Sequence, residues 1–157
     1  MCIVIDVNAL PSVFEATSKN HEEFKPVKDW ILSGRGYMVL GGSGLKDELA
    51  KMRSYLKLIK RLKQKGHVVN IDDDQVDQQQ KVVARKTQGT GCDDQHLIAL
   101  LGVSRCDLFC SSDARCYPFI KDSSLYPKNA RNVKIYSGAR NKELLQGRRV
   151  EELSYVI

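Results

Sequence analysis

A chain of 157 residues with 42% hydrophobic residues is sized for a single domain with a real core, and a second domain is not expected. Five cysteines (Cys2, Cys92, Cys106, Cys110, Cys116), odd in number and without paired Cys-x-x-Cys spacing, argue against a disulfide framework or a structural zinc site and fit free thiols in a reducing compartment. The formal net charge of +6 favours a polyanionic partner such as nucleic acid.

The first apolar run, Cys2 to Ile5, reads as a strand, and its tip is Asp6. It is too short for a signal peptide, and no later segment approaches a membrane span, so a soluble cytoplasmic protein with no membrane partner is expected. Phe24 to Leu32 predicts a short helix with Trp30 and Ile31 facing inward, and Tyr37 to Leu40 predicts the second strand. The glycines of Gly41 to Gly44 follow; lacking a Gly-Lys-Ser/Thr ending, they read as a tight turn and not as a phosphate cradle. Leu45, Leu49, Met52, Leu56, Ile59 and Leu62 then recur at three- and four-residue steps, predicting one helix with Lys and Arg opposite and Gly66 as its stop.

His67 to Ile71 is the third predicted strand, followed by Asp72, Asp73 and Asp74 as cap and turn residues of a helix over Gln75 to Lys86. Asp93 to Leu101 predicts a further helix with Leu97, Ile98 and Leu101 on one face, and His96 within it reads as structural. Asp107 to Cys110 forms the fourth strand, with Ser111 and Asp113 just beyond it, and Val133 to Tyr136 the fifth. A basic extension runs from about residue 138 to the end, and Lys and Arg crowd Lys57 to Lys65 and Arg131 to Arg149.

Strands alternating with helices predict an α/β fold: a three-layer α/β/α sandwich around a central five-stranded parallel sheet. In such a sheet all strands end at one edge, where the crossover helices begin. Asp6 and Asp113 lie at strand ends, Glu48 lies early in the helix after the second strand, and Asp93 and Asp94 open the helix before the fourth. Carboxylates gathered this way raise one another's pKa unless a cation neutralises them, and an all-oxygen donor set suits Mg²⁺ or Mn²⁺. Taken alone, the Asp93 and Asp94 pair fits helix caps; as a divided pair, Asp94 shares the inner face and is the ligand, with Asp93 the cap. Glu48 is flanked by Leu45 and Leu49, which keep it near the buried side, with Asp47 its competitor.

A hydrophobic first strand ending Asp-x-Asn (Asp6, Asn8), an acid early in a middle helix (Glu48), an acid opening the helix DDQHLIALL (Asp94) and a strand ending Ser-x-Asp (Ser111, Asp113) together resemble the PIN-domain ribonucleases over most of the chain up to the fifth strand. The resemblance implies a metal-dependent endoribonuclease that leaves a 5′-phosphate and a 3′-hydroxyl. It implies that Asp6, Glu48, Asp94 and Asp113 hold Mg²⁺ or Mn²⁺, with Asn8 and Ser111 orienting them. Many members are toxins paired with a small antitoxin and often form homodimers. The long segment between the first two strands and the basic extension depart from the compact toxin pattern. Two other classes share parts of this pattern: an RNA-binding module with the same fold and little or no cleavage, and a receiver-like signalling domain, although here the first strand offers one acid and the fifth ends in Tyr136-Ser137-Gly138.

Overall fold

In the computed structural model, which describes residues 1–146, the five strands are β1 (Cys2–Ile5), β2 (Tyr37–Gly41), β3 (Val68–Ile71), β4 (Leu108–Cys110) and β5 (Lys134–Tyr136). Each lies within one residue of its predicted run. They form one all-parallel sheet in the order β3-β2-β1-β4-β5, covered by helices as the α/β/α sandwich requires. The central strands are buried on both faces, so they read as unbroken apolar runs: Ile3 and Val4 in β1 and Leu108, Phe109 and Cys110 in β4 are all enclosed. At the sheet edge, β3 leaves Val69 exposed.

The helices are α1 (Leu10–Phe14), α2 (His21–Leu32), α3 (Ser43–Ala50), α4 (Arg53–Gln64), α5 (Asp73–Lys86), α6 (Gln95–Ser104) and α7 (Tyr117–Ile120). The single helix predicted from Leu45 to Leu62 is corrected to two, α3 and α4, broken at Lys51 and Met52. The buried face changes phase at the break. Leu45 and Leu49 are buried in α3, whereas α4 buries Tyr55, Ile59 and Leu62 and leaves Leu56 exposed. An unbroken helix cannot bury both sets, because their phases differ by one residue in a 3.6-residue period. The bend also brings the Tyr55 hydroxyl onto the Glu15 carboxylate beyond α1.

The Gly41 to Gly44 segment, predicted as a tight turn, is corrected to a direct strand-to-helix junction: β2 ends at Gly41, α3 begins at Ser43, and Gly42 alone lies between them. Gly42 has φ of 91°, in the left-handed region, and its N–H donates to Asp73 Oδ1 at 2.9 Å. The next N–H, of Ser43, donates to Asp77 Oδ1 at 2.8 Å. These two donors, which a phosphate cradle would need, are thus taken by carboxylates of α5. Asp72 caps α5, accepting from the Asp74 N–H at 2.9 Å, in line with the cap role read for this triplet.

Beyond β5 the chain does not leave the body at once. A 3-10 turn over Ala139–Leu144 follows, Leu145 is buried, and the Trp30 indole N–H donates to the Gln146 carbonyl at 2.6 Å. The rest of the predicted basic extension, residues 147–157, lies outside the described residues. Buried apolar side chains from all five strands form one contiguous core, and all five cysteines are free thiols. Among the described residues no helix is long and apolar enough to cross a membrane.

Candidate active site

Strand order sets where a ligand can approach. The order reverses at β1, whose neighbours are β2 on one side and β4 on the other, and in open parallel sheets the crevice lies at the carboxyl ends of the strands flanking such a reversal. Val4 pairs with Phe109 and Ile5 with Cys110, so β1 and β4 end level. The residues that follow, Asp6 and Ser111, therefore emerge side by side. The Asp6 N–H donates to the Cys110 carbonyl at 2.9 Å, and the Ser111 N–H donates to the Tyr136 carbonyl of β5 at 3.2 Å.

Asp6 is 6% exposed, and both of its carboxylate oxygens are engaged. Oδ2 accepts from the Ser111 hydroxyl at 2.9 Å, and Oδ1 accepts from the Asn8 backbone N–H at 3.3 Å, capping the 3-10 turn over Val7–Ala9. Asn8 thus supports Asp6 through its main chain, while Asn8 itself is exposed. Ser111 is fully buried and links two of the acids: its hydroxyl also accepts from the Asp113 N–H at 3.1 Å. The Ser111 carbonyl accepts from the Tyr117 hydroxyl at 2.7 Å, tying the loop after β4 to α7.

Asp113 caps the 3-10 turn over Ala114–Cys116 and meets Arg115 in a bidentate pair, with Nε to Oδ1 and a terminal guanidinium nitrogen to Oδ2 each at 3.0 Å. Hydrogen bonds from Arg115 hold the Asp113 carboxyl below the usual range. Glu48, on α3, lies with Oε1 2.9 Å from Nε2 of His96 on α6.

Asp94 takes the N-cap position of α6, yet its side chain makes no cap hydrogen bond. Asp93, expected to be the cap, precedes that position and is exposed, so the division of roles between the two is corrected on the cap side. The uncommitted carboxyl of Asp94 has its pKa raised, first by burial and then by the negative charges of Asp6, Glu48 and Asp113; His96 opposes the shift. Acids drawn from positions 6, 48 and 113 therefore act on one carboxyl. The thiol of Cys116, beneath the same loop, is pushed up to about 12, first by burial and then by Asp94.

The acids share a field without sharing a single point. Among the described residues no three His, Cys, Asp or Glu side chains stand together closely enough to hold one ion as they lie. The partners explain this: Asp113 is turned to Arg115, Glu48 to His96, and Asp6 to Ser111. The donor set nevertheless fits a hard divalent cation in its chemistry. It is all carboxylate oxygen, and the Asp94 carboxyl, raised first by burial and then by the neighbouring acids, is one whose ionised form a cation would favour. Arg115 was missed from sequence, although a cation two residues after a strand-end acid is a usable signal. The partnership of His96 with Glu48 joins residues 48 positions apart and leaves no local trace. No protein-family model, curated protein or solved structure matches the chain, so its function is argued from this geometry.

Proposed function

We propose that this chain is a metal-dependent endoribonuclease of the PIN-domain kind, with Asp6, Glu48, Asp94 and Asp113 holding Mg²⁺ or Mn²⁺. What supports the reading is placement: at the switch point of a parallel sheet the Ser111 hydroxyl joins Asp6 to Asp113, and Asp94, whose carboxyl is raised by burial and then by Asp6, Glu48 and Asp113, lies beside them. A bound divalent ion supplies a water of lowered pKa and a counter-charge for phosphate oxygens.

The chain's own contribution is placement. Ser111 and the Asn8 N–H hold Asp6 from both oxygens, so this acid is fixed in orientation before any ligand arrives, and each oxygen keeps a further lone pair. Arg115 neutralises Asp113 and, being 92% exposed at its side chain, can carry its paired N–H donors to the phosphodiester of a bound strand. RNA is the partner on this reading. A partner antitoxin and a homodimer accompany it only through the family resemblance.

The RNA-binding alternative draws on one specific observation, that Asp113 is already paired with Arg115 and Glu48 already stands 2.9 Å from the His96 ring. A receiver is disfavoured by strand order, since receivers follow 2-1-3-4-5 and this sheet runs 3-2-1-4-5. The deciding experiment is cleavage of end-labelled single-stranded and structured RNA with Mn²⁺, Mg²⁺ or EDTA, using the wild type, Asp6→Asn and Asp113→Asn. The wild type cuts with metal and not in EDTA, and both variants lose about 100-fold or more. Cleavage that persists in EDTA or in both variants defeats the proposal, and binding without cleavage under every metal condition favours the RNA-binding module.

A further inference from the structure

His96 is the buried polar group that the acid site does not by itself explain. Its side chain is 8% exposed, and Nε2 is enclosed with no completed hydrogen bond, although Glu48 Oε1 lies only 2.9 Å away. The distance is right and the direction is not: the ring N–H does not aim along the line to the oxygen. Among the described residues no other protein group completes a bond to this nitrogen. Glu48, 38% exposed at its side chain against 8% for His96, is the partner less confined by burial and so the one whose adjustment would bring an oxygen onto the N–H.

The ring cannot make that adjustment as easily, because α3 is built against it. A Cβ on Gly44 would stand 2.8 Å from the His96 Cβ, so the bare backbone of Gly44 lets α3 seat on the root of the imidazole. Gly44 and Glu48 are four residues apart and share one face of α3. One turn of helix thus packs on the base of the ring while the next presents a carboxylate to its tip.

We propose that His96 is the positioning residue of the acid site, donating from Nε2 to Glu48 Oε1 so that one conformer of this long side chain is held beside Asp94 and Oε2 stays available. Its importance to a cation rests on the nuclease reading; the pairing itself does not. A histidine that merely fills space between α3 and α6 would be replaceable by an apolar residue of similar size, with no effect on ligands of the acids. A histidine that orients Glu48 would not.

The test uses the full chain. Mn²⁺ binding is followed by electron paramagnetic resonance for the wild type, His96→Leu, His96→Gln, Glu48→Gln and the double variant His96→Leu/Glu48→Gln. Nitrogen NMR of the imidazole is recorded on metal-free wild type and Glu48→Gln. His96→Leu weakens Mn²⁺ binding about 10- to 100-fold, and His96→Gln, whose amide N–H reaches a similar position, recovers most of the loss. The double variant is no weaker than Glu48→Gln alone, because the Gln has already lost the carboxylate that His96 serves to orient toward the cation. In the metal-free wild type, Nε2 carries the proton, and its signal moves in Glu48→Gln. Wild-type Mn²⁺ affinity in His96→Leu, additive losses in the double variant, or an unprotonated Nε2 overturns the proposal. If the wild type takes up no Mn²⁺ while the Nε2 proton responds to Glu48→Gln, the nuclease reading fails and the positioning pair stands.

Discussion

Asp94 makes no cap hydrogen bond with its side chain and lies in the field of three other acids. Burial comes first and the fields of Asp6, Glu48 and Asp113 follow, and together they put its folded pKa above the unfolded value. A carboxyl raised in this way stabilises the fold fully below its unfolded pKa, and that stability is lost as pH rises through the folded pKa. Metal-free protein is therefore expected to lose stability as pH climbs from the unfolded carboxyl value toward neutrality. Asp94→Asn should remove that part of the slope and raise Tm in EDTA at pH 7 by roughly 2–4 °C, the equivalent of about 1 kcal/mol for a chain of this size. The same variant should lose the Tm increase that Mn²⁺ gives the wild type, which thermal scans with and without metal would measure. Asp113 behaves oppositely. Arg115 lowers its pKa, so any stability from that pair is present above the unfolded value and is lost as pH falls; with both groups at the surface its contribution is small. Identities of the acids were legible in the sequence because a carboxylate at the tip of an apolar run is chemically out of place. Their partners were not, since Arg115 and His96 become partners only through side-chain direction.

At the scale of elements, burial period and turn chemistry explain most of what was legible. Strand ends fell within a residue of expectation because each run is followed by Asp, Gly or Ser, and α5 was legible from the Asp residues that open it; α6 was read as one-faced, but His96 through Gly102 are all buried, so it is enclosed all round. The α3–α4 break was not, because Leu56 completes a regular helical pattern in sequence and is exposed in the fold, while Tyr55 beside it is buried. Close packing supplies a sharper test between α2 and β2. A Cβ on Gly36 would stand 2.1 Å from two carbons of the Trp30 indole, which is itself 3% exposed and anchored to Gln146. Gly36→Ala must displace the indole, and a loss of about 1–3 kcal/mol is expected from overpacking of this kind. Urea unfolding would register it as a lower midpoint. Because Trp30 is the one tryptophan in the chain, a red-shifted emission in the folded state would report the displacement directly.

Over the whole molecule, charge is divided between an acidic strand edge and a basic helix. The sequence of α4 contains no Asp or Glu, and Arg53, Lys57, Lys60, Arg61 and Lys63 are exposed on it. A polyanion crossing this face should bind with strong salt dependence. Lys57→Ala/Lys60→Ala/Arg61→Ala should weaken RNA binding and flatten the plot of log affinity against log salt by about 0.7 for each phosphate no longer neutralised. Mn²⁺ affinity should change far less, since all three side chains are exposed on α4, which itself carries none of the acids; filter binding across a salt series and the Mn²⁺ titration separate the two effects. By itself the sequence determined the element types, the parallel sheet and the edge at which the acids gather, because these follow from hydrophobic period and from the handed geometry of strand–helix–strand connections. Only the tertiary structure decided the strand order that makes β1 and β4 neighbours, the break between α3 and α4, the N-cap position of Asp94, and the pairing of Asp113 with Arg115 and of Glu48 with His96. Those features depend on which side chains meet once the core has closed, and contacts between residues tens of positions apart leave no periodic trace along the chain.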